Sequence, residues 1–269
     1  MAQRDAGAAR RAQQQFGRQA RRYAEGVPFR GGETLDVLTE FAALGRPSGG
    51  APLPLESVVD VGAGAGFTAF ALAPYARRVV VTDLTAPMLA EARRLARERG
   101  LAHLEYALAQ AEALPFASAS LDCVATRMAA HHFADLEAAL REAWRVLRPG
   151  GVLLFCDVTS PEDDAVAAWM HDVERRRDPS HVRDWKPSQL LALFEGGGFQ
   201  VTHAATTRVP LEFHDWVRRS NTPPQTVAAL ERDFHQAPPA VREAFHIAPG
   251  PGRIDFDWSA LVCRAVKPP

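Results

Sequence analysis

The sequence predicts an α/β protein in which helices cover both faces of a parallel sheet. Short apolar runs end in glycine or an acid at Ser57–Val61 and Arg78–Asp83, and later apolar runs alternate with helical patterns. Such runs are typical of buried parallel strands. Strands that alternate with helices at this spacing indicate right-handed βαβ units, so the expected fold is a doubly wound sheet.

Two helices are predicted over Gln13–Leu44, with a break at Gly26–Pro28. Phe16 and Tyr23 recur on one face of the first helix, which therefore carries an aromatic stripe. The Pro- and Gly-rich stretch Arg46–Pro52 has the composition of a linker. We therefore expect residues 1–50 to form a helical lid and linker, followed by one main domain over residues 51–269.

The remaining chain continues the alternation and ends in helical additions. The predicted elements are a helix at Leu84–Arg99 capped by Thr85, strands at His103–Ala109, Leu121–Thr126 and Val152–Asp157, a helix at Leu136–Leu147, helices at Glu162–Arg177 and Ser188–Glu195, and hairpin-type closing strands at Phe199–Ala205 and Asp255–Val266. Helical insertions are expected around residues 161–196 and 211–250.

Composition excludes several classes of protein. Lysine and arginine number 31 against 32 acidic residues, a net charge of −1, which argues against a nucleic-acid partner. No apolar run reaches the roughly 20 residues of a membrane span. The 3 cysteines are too few and too scattered for a disulfide framework or a zinc site, and they suit a reducing cytosol. A small-molecule partner and a cytoplasmic location are expected.

A glycine-rich loop follows the first strand and reads Asp60-Val61-Gly62-Ala63-Gly64-Ala65-Gly66. Glycines there let the backbone approach a ligand closely, although a tight turn alone would also require them. Phe67 occupies the place of the third glycine of a dinucleotide fingerprint, which disfavours a pyrophosphate site. Asp83 ends the second strand, where a carboxylate accepts both hydroxyls of a ribose or, alternatively, caps a helix. Loop and acid together indicate a nucleoside-containing ligand.

Six motifs then occur in a fixed order: Val58–Gly66, Val81–Asp83, Ala111–Phe116, Leu121–Val124, His131–Phe133 and Leu147–Gly151. This series resembles the class I S-adenosylmethionine (SAM)-dependent methyltransferases, in particular the subgroup related to ubiquinone/menaquinone-biosynthesis C-methyltransferases. The resemblance implies a Rossmann-like sheet of seven strands with the last antiparallel. It also implies an enzyme that binds SAM across the carboxyl ends of the first strands and releases S-adenosylhomocysteine (SAH).

The resemblance also assigns cofactor contacts residue by residue. Asp60, Gly62, Ala63 and Gly64 would hold the methionine end, Asp83 the ribose, Leu84 and Met88 the adenine ring, Gln110, Ala111 and Glu112 the adenine edge, and Arg127 the methionine part or the substrate. The family usually has aspartate where Gln110 stands, and the amide oxygen of Gln110 is an alternative acceptor. From the shared helical face we expect Tyr23, with Phe16, to close over the cofactor.

His131 and His132 are the candidate catalytic residues. They follow the fourth strand, where this fold presents groups to the substrate, and histidine accepts a proton near neutral pH. A histidine hydrogen-bonded to backbone under a loop is the structural alternative. Asp157 would orient a substrate hydroxyl or cap the following helix. No metal is expected, because the two histidines and Asp135 lack a spaced partner cluster and the implied subgroup is metal-independent.

Aromatic residues of the insertions, among them Trp169, Trp185 and Trp216, would wall a flat or aromatic acceptor or simply pack the added helices. Arg175–Arg177 is expected to be a solvated helix face. The leading hypothesis is in-line methyl transfer to carbon or oxygen of a small molecule. The alternatives are a protein of this fold that binds SAM without transferring methyl, and a nicotinamide-dependent oxidoreductase, which Phe67 and the lack of a Tyr-x-x-x-Lys pair disfavour.

Overall fold

The computed structural model describes residues 7–25, 30–44, 55–101 and 103–269. The strands are Leu55–Val61 (β1), Ala76–Asp83 (β2), Leu104–Leu108 (β3), Leu121–Arg127 (β4), Leu147–Thr159 (β5), Gln200–Glu212 (β6), Ala248–Gly250 (β7) and Arg253–Val266 (β8). The α-helices are Ala8–Glu25 (α1), Glu33–Ala43 (α2), Phe67–Leu72 (α3), Ala86–Glu98 (α4), Leu136–Val146 (α5), Asp164–Arg177 (α6), Pro187–Gly196 (α7), Phe213–Arg219 (α8), Pro224–His235 (α9) and Pro239–Ala244 (α10). The predicted break at Gly26–Pro28, the linker Arg46–Pro52 and the boundary at residue 50 lie outside the described residues.

The strands form one mixed sheet in the order β3-β2-β1-β4-β5-β8-β6, and β7 pairs with the start of β8. The first five strands are parallel, whereas β8 runs antiparallel to both β5 and β6. The predicted doubly wound sheet with an antiparallel last strand is confirmed. The strand order reverses between β1 and β4, and a ligand crevice forms at such a point, outside the carboxyl ends of the strands.

One detail of the predicted sheet is wrong. The sheet has eight strands and not seven, because β7 is a three-residue strand beside a Pro-Gly turn. β6 and β8 pair antiparallel and close one edge of the sheet, as predicted, with β8 between β5 and β6. β6 also continues to Glu212 through Pro210, which an edge strand tolerates because it need not donate on its free side.

Alternate residues of the central strands feed two apolar clusters, one on each face of the sheet. Val58, Val79 and Cys123 belong to the first cluster, and Val59 and Val124 to the second. Buried residues of α6, α8 and α9 join the first cluster, so the late helices pack directly on the sheet. Within the described parts of the chain, no helix has both the length and the apolar character needed to cross a membrane.

Candidate active site

The glycine loop after β1 is shaped by positions that only glycine fits. Gly62 and Gly66 have φ of 66° and 89°, in the left-handed region. A Cβ on Gly62 would lie 2.7 Å from the Cβ of Ala129, and one on Gly66 would lie 2.8 Å from the Phe70 ring. Gly64 has open space where its Cβ would be. The loop therefore packs tightly against Ala129 and Phe70 at Gly62 and Gly66, while the backbone at Gly64 stays accessible to a ligand.

Asp83, at the end of β2, ties this loop to the neighbouring strand. Its Oδ2 accepts the Gly64 N–H at 2.9 Å, and its Oδ1 accepts the backbone N–H and the hydroxyl of Thr85, both at 2.8 Å. Burial raises the pKa of Asp83. A carboxylate has about four acceptor positions, so Oδ2 retains room for a ribose hydroxyl. Thr85 occupies the N-cap position of α4, as predicted, but its hydroxyl donates to Asp83 and makes no side-chain cap bond to the helix.

Asp60 lies behind the loop and is fully buried. Its Oδ2 accepts the N–H of Ala69 at 2.9 Å in the first turn of α3, and its Oδ1 has no hydrogen-bond partner among the described residues. Burial raises the pKa of Asp60 to about 7. Asp60 therefore anchors the first turn of α3 behind the glycine loop.

A large cavity opens at the crevice, with about 1460 Å³ of space including its mouth. Every residue predicted for the site lines it except Asp60: Tyr23, Gly62, Ala63, Gly64, Asp83, Leu84, Met88, Gln110, Ala111, Glu112, Arg127, His131 and His132. Phe16 also lines the cavity and packs edge-on against Tyr23 at 5.0 Å between ring centroids. The fold therefore brings together residues that are separated by more than 100 positions in sequence.

His131 is held by Asp157 at the end of β5. Asp157 Oδ1 lies 2.6 Å from His131 Nδ1, and its Oδ2 accepts the His131 backbone N–H at 2.8 Å. Burial opposes the charged ring, but the Asp157 carboxylate outweighs it and raises the pKa of His131 to about 9. His131 is therefore an imidazolium at neutral pH. The predicted capping role of Asp157 is wrong, because Asp163 caps α6. Asp157 contacts His131 and does not line the cavity.

The pKa of His132 is shifted in the opposite direction from that of His131. The Nδ1 of His132 lies 3.1 Å from the carbonyl oxygen of Ser180, which only accepts, so Nδ1 carries the proton and Nε2 carries the lone pair. Burial and the neighbouring charge of His131 hold the pKa of His132 well below its usual range. The ring is thus neutral at pH 7.

Arg127 ends β4 and connects three elements at the cavity. Its Nε donates to the Thr68 hydroxyl at 3.0 Å, and its Nη1 donates to the Thr34 hydroxyl at 3.2 Å. Burial lowers the pKa of Arg127. These bonds join α3 and α2 to the sheet at the place predicted to face the methionine part or the substrate.

The cavity wall beyond the histidines also contains Glu174, Arg177, Trp216, Arg219 and Trp258. The sequence analysis named Trp216 among several candidate aromatics and missed Glu174, Arg219 and Trp258. The expectation that Arg175–Arg177 is solvated is wrong for Arg177, which is 7% exposed. A sequence signal was present, because Arg177 follows Val166, Met170 and Val173 at helical spacing and so shares their inward face.

A separate histidine cluster lies behind His131 and His132. Ligand-type atoms of His171, His181 and Asp184 lie within 4.8 Å of one another, and none of the three residues lines the cavity. Burial opposes ionisation of Asp184, but the two rings hold its pKa well below the usual range. The His181 ring stacks on His131 at 5.6 Å. Asp135, weighed earlier as a ligand, caps α5 through the Ala138 N–H.

Comparison with known proteins decides the family. Residues 59–155 match the family described as a methyltransferase domain. The chain is 30% identical over 254 residues to the uncharacterized methyltransferase YcgJ of Bacillus subtilis, covering 94% of this chain and 97% of that one. The chain belongs to the class I SAM-dependent methyltransferases.

A solved structure and a more distant relative agree with this assignment. The structure of protein BH2331 from Bacillus halodurans C-125 superposes with a TM-score of 0.81 at 34% identity, covering 88% of this chain and all of that one (100%). The ubiquinone/menaquinone biosynthesis C-methyltransferase UbiE of Rubrivivax gelatinosus is 36% identical over 111 residues, 41% of this chain and 43% of that protein. This methyltransferase is therefore a SAM-dependent enzyme with the expected Rossmann-like fold.

The residues around the glycine loop have a chemistry that suits SAM. The open face at Gly64 admits a ligand against backbone, and the Asp83 carboxylate provides an acceptor for the ribose. Leu84 and Met88 supply apolar surface on the same wall. Asp60, which was predicted to hold the methionine end, does not line this wall, whereas Gly62, Ala63 and Gly64 do.

Proposed function

We propose that this methyltransferase transfers a methyl group from SAM to a carbon or oxygen atom of a small-molecule acceptor, without a metal ion in the reaction. The observation that carries the proposal is that the predicted cofactor residues and the two histidines line one continuous cavity. One half has the glycine loop and Asp83, and the other has His131, His132 and aromatic side chains.

The cofactor half positions the reacting group. SAM, when bound, supplies a methyl group on a positively charged sulfur, already activated for displacement. The chain's task is therefore alignment, and orientation of two reactants contributes roughly 7–11 kcal/mol. Asp83 and the loop would fix the nucleoside and methionine ends, while Arg127, braced by Thr68 and Thr34, borders the reaction space.

We propose His132 as the general base and His131 as a positively charged partner. A base must have a lone pair at neutral pH, which the lowered pKa of His132 provides and the raised pKa of His131 denies. The imidazolium of His131 would stabilise the negative charge that develops on a phenol or enol oxygen as its proton leaves. The centroids of the two rings lie 4.1 Å apart, and both residues line the same cavity.

The walls of the second half favour a small, flat acceptor. Trp216 and Trp258 line it, and Phe16 and Tyr23 border the cavity from α1. Reaction without a metal is supported by the place of His171, His181 and Asp184, since a cation among them would not touch the cavity. The balanced net charge of −1 supports a small molecule over nucleic acid as the partner.

The proposal is tested by labelled-methyl transfer from SAM to a panel of phenols, enols and carboxylic acids, with total tRNA as a further arm. We expect a small molecule to be labelled, SAH to be released, and EDTA to leave the rate unchanged. Labelling of tRNA alone, or loss of activity in EDTA, would contradict the proposal.

Asp83→Ala is the variant that tests the cofactor half. We expect SAH binding to weaken by roughly 100-fold, because hydrogen bonds to a charged acceptor are lost. Calorimetric titration measures this, with exposed Asp36→Ala as the matched control and Asp83→Asn as a variant that preserves shape. Retention of affinity within about threefold in a folded Asp83→Ala protein would remove the ribose assignment.

A further inference from the structure

His132, the proposed base, receives its proton beside a charge of the same sign. The centroid of its ring lies 4.1 Å from that of His131, which is already an imidazolium at neutral pH. A second positive charge so close is costly in a buried site unless a negative charge compensates it. Asp157 is bonded to the ring and the backbone N–H of His131. The ring of His181 also opposes a positive charge on His132, whereas the carboxylate of Asp178 favours one.

Asp178 reaches His132 through the hydroxyl of Ser180. Ser180 Oγ lies 2.5 Å from Asp178 Oδ1 and 3.2 Å from His132 Nδ1. Because an ionised carboxylate only accepts, the hydroxyl donates to Asp178 and offers its lone pairs to the ring nitrogen. The Nδ1–H of His132 therefore donates to Ser180 Oγ as well as to the Ser180 carbonyl oxygen at 3.1 Å. The donors of this chain all point toward Asp178, which leaves the lone pair on His132 Nε2.

Asp178 is buried, with 0% exposure, and both of its oxygens are bonded. Its Oδ1 also accepts the Ser180 N–H at 2.9 Å. Its Oδ2 accepts the Tyr23 hydroxyl at 3.0 Å and lies 3.4 Å from Ser220 Oγ. Burial opposes the charged form, but nearby positive groups and the hydrogen bonds from Ser180 hold the pKa of Asp178 below its usual value. The carboxylate is therefore a fixed negative charge that does not itself line the cavity.

We propose that Asp178 is a positioning residue for methyl transfer: through Ser180 it fixes the ring of His132 and stabilises the imidazolium that forms when His132 takes the acceptor's proton. His132 Nε2 takes this proton while the methyl carbon bonds to the acceptor and the electron pair of the sulfur–methyl bond returns to sulfur. Positive charge thus passes from sulfur to the ring, and Asp178 stays ionised. This inference rests on the proposed function, since it concerns the base of that reaction.

Two buried serines offer a matched pair of variants. Ser180 and Ser220 are 0% and 3% exposed, and both hydroxyls bond to Asp178. The Ser180 hydroxyl also contacts His132, whereas the Ser220 hydroxyl contacts Tyr23. Ser180→Ala therefore breaks the chain, and Ser220→Ala removes a hydroxyl from the other side of the same carboxylate. Asp178→Asn keeps the shape of the side chain and an acceptor oxygen for Ser180 but removes the negative charge.

The kinetic test compares an acceptor that must lose a proton with one that has already lost it. Phenol holds its proton at about pH 8, whereas 4-nitrophenol is largely ionised there. With phenol we expect Ser180→Ala and Asp178→Asn to lower kcat at least about tenfold, because the base is less effective, and Ser220→Ala to stay near wild type. With 4-nitrophenol all three variants should stay within about threefold of wild type, and SAH affinity should be unaltered throughout.

Nitrogen NMR of the protein, labelled in its histidine rings and saturated with SAH, tests the chain without an acceptor. We expect His132 to be a neutral ring with its proton on Nδ1, assigned by the loss of its signals in His132→Gln. The resonance of this proton should move upfield in Ser180→Ala and Asp178→Asn, because its hydrogen bond weakens. It should stay in place in Ser220→Ala.

A wild-type ring with its proton on Nε2 would overturn the inference, as would equal movements of the Nδ1 proton in Ser180→Ala and Ser220→Ala. An Asp178→Asn protein that loses kcat equally with phenol and 4-nitrophenol would show a merely structural role, and one that loses none would show no role. If SAH binds but no acceptor is methylated, the proposed function fails, and the NMR result still decides whether Ser180 links Asp178 to His132.

Discussion

His131 and His132 are adjacent in the chain, yet their surroundings set opposite charge states. Asp157 raises the pKa of the first ring to about 9, whereas burial and that positive neighbour lower the pKa of the second. The sequence identified both as candidates but could not divide the roles between them. The division depends on Asp157 and Ser180, which come from distant parts of the chain.

The ion pair of His131 with Asp157 predicts a pH dependence of stability. Because the folded pKa exceeds the ordinary value of about 6.5, the stabilisation is complete below about pH 6.5 and is lost as the pH rises through about 9. We expect the difference in free energy of unfolding between wild type and His131→Asn to fall by up to about 3 kcal/mol across this window.

Denaturant unfolding at several pH values measures this difference. His246→Asn is the control, since His246 pairs with Asp257 at 2.8 Å but is exposed, and such surface pairs contribute little. A difference that is constant from pH 6.5 to 9 for His131→Asn would contradict the assigned charge state.

At the scale of elements, helix α1 forms one wall of the cavity at the carboxyl ends of the strands. It packs on α4 and places Phe16 and Tyr23 on the cavity wall, as their shared helical face predicted. The Tyr23 hydroxyl donates to Asp178 Oδ2 at 3.0 Å and also lies 3.1 Å from the Ser220 hydroxyl. A buried polar contact therefore docks the helix beside the site, and its role as a lid remains a prediction.

Tyr23→Ala should weaken SAH binding by about tenfold, because it removes aromatic surface from the wall and loosens α1. Arg18→Ala, an exposed change on the same helix, should leave the affinity unchanged. Fluorescence or calorimetric titration distinguishes the two. Equal affinity of Tyr23→Ala and wild type would show that α1 does not close over the cofactor.

At the scale of the molecule, the late helices and the sheet share one apolar cluster. Phe234 of α9 is fully buried and packs against Trp169, Phe213, Trp216 and Phe256. The cavity wall from α6 and α8 therefore packs on the same apolar cluster as Ala65 of the glycine loop. We infer that residues 55–101 and 103–269 unfold together.

Phe234→Ala should lower the free energy of unfolding by roughly 3–5 kcal/mol, because it leaves a cavity among aromatic rings. Urea unfolding should show one transition in wild type and variant, and exposed Arg232→Ala should change the midpoint little. A separate early transition in Phe234→Ala would indicate that the insertions fold independently of the sheet.

The sequence by itself determined the local and periodic features: the parallel strands, the glycine loop, Asp83, the histidine pair and the family they resemble. These follow from short-range spacing and backbone chemistry, which one sequence records directly. Tertiary structure decided which side chains meet. Arg177 and Arg219 are 42 positions apart and are joined at one wall only when α6 and α8 pack over the sheet. Their meeting at one wall depends on contacts between distant segments, which no local pattern encodes.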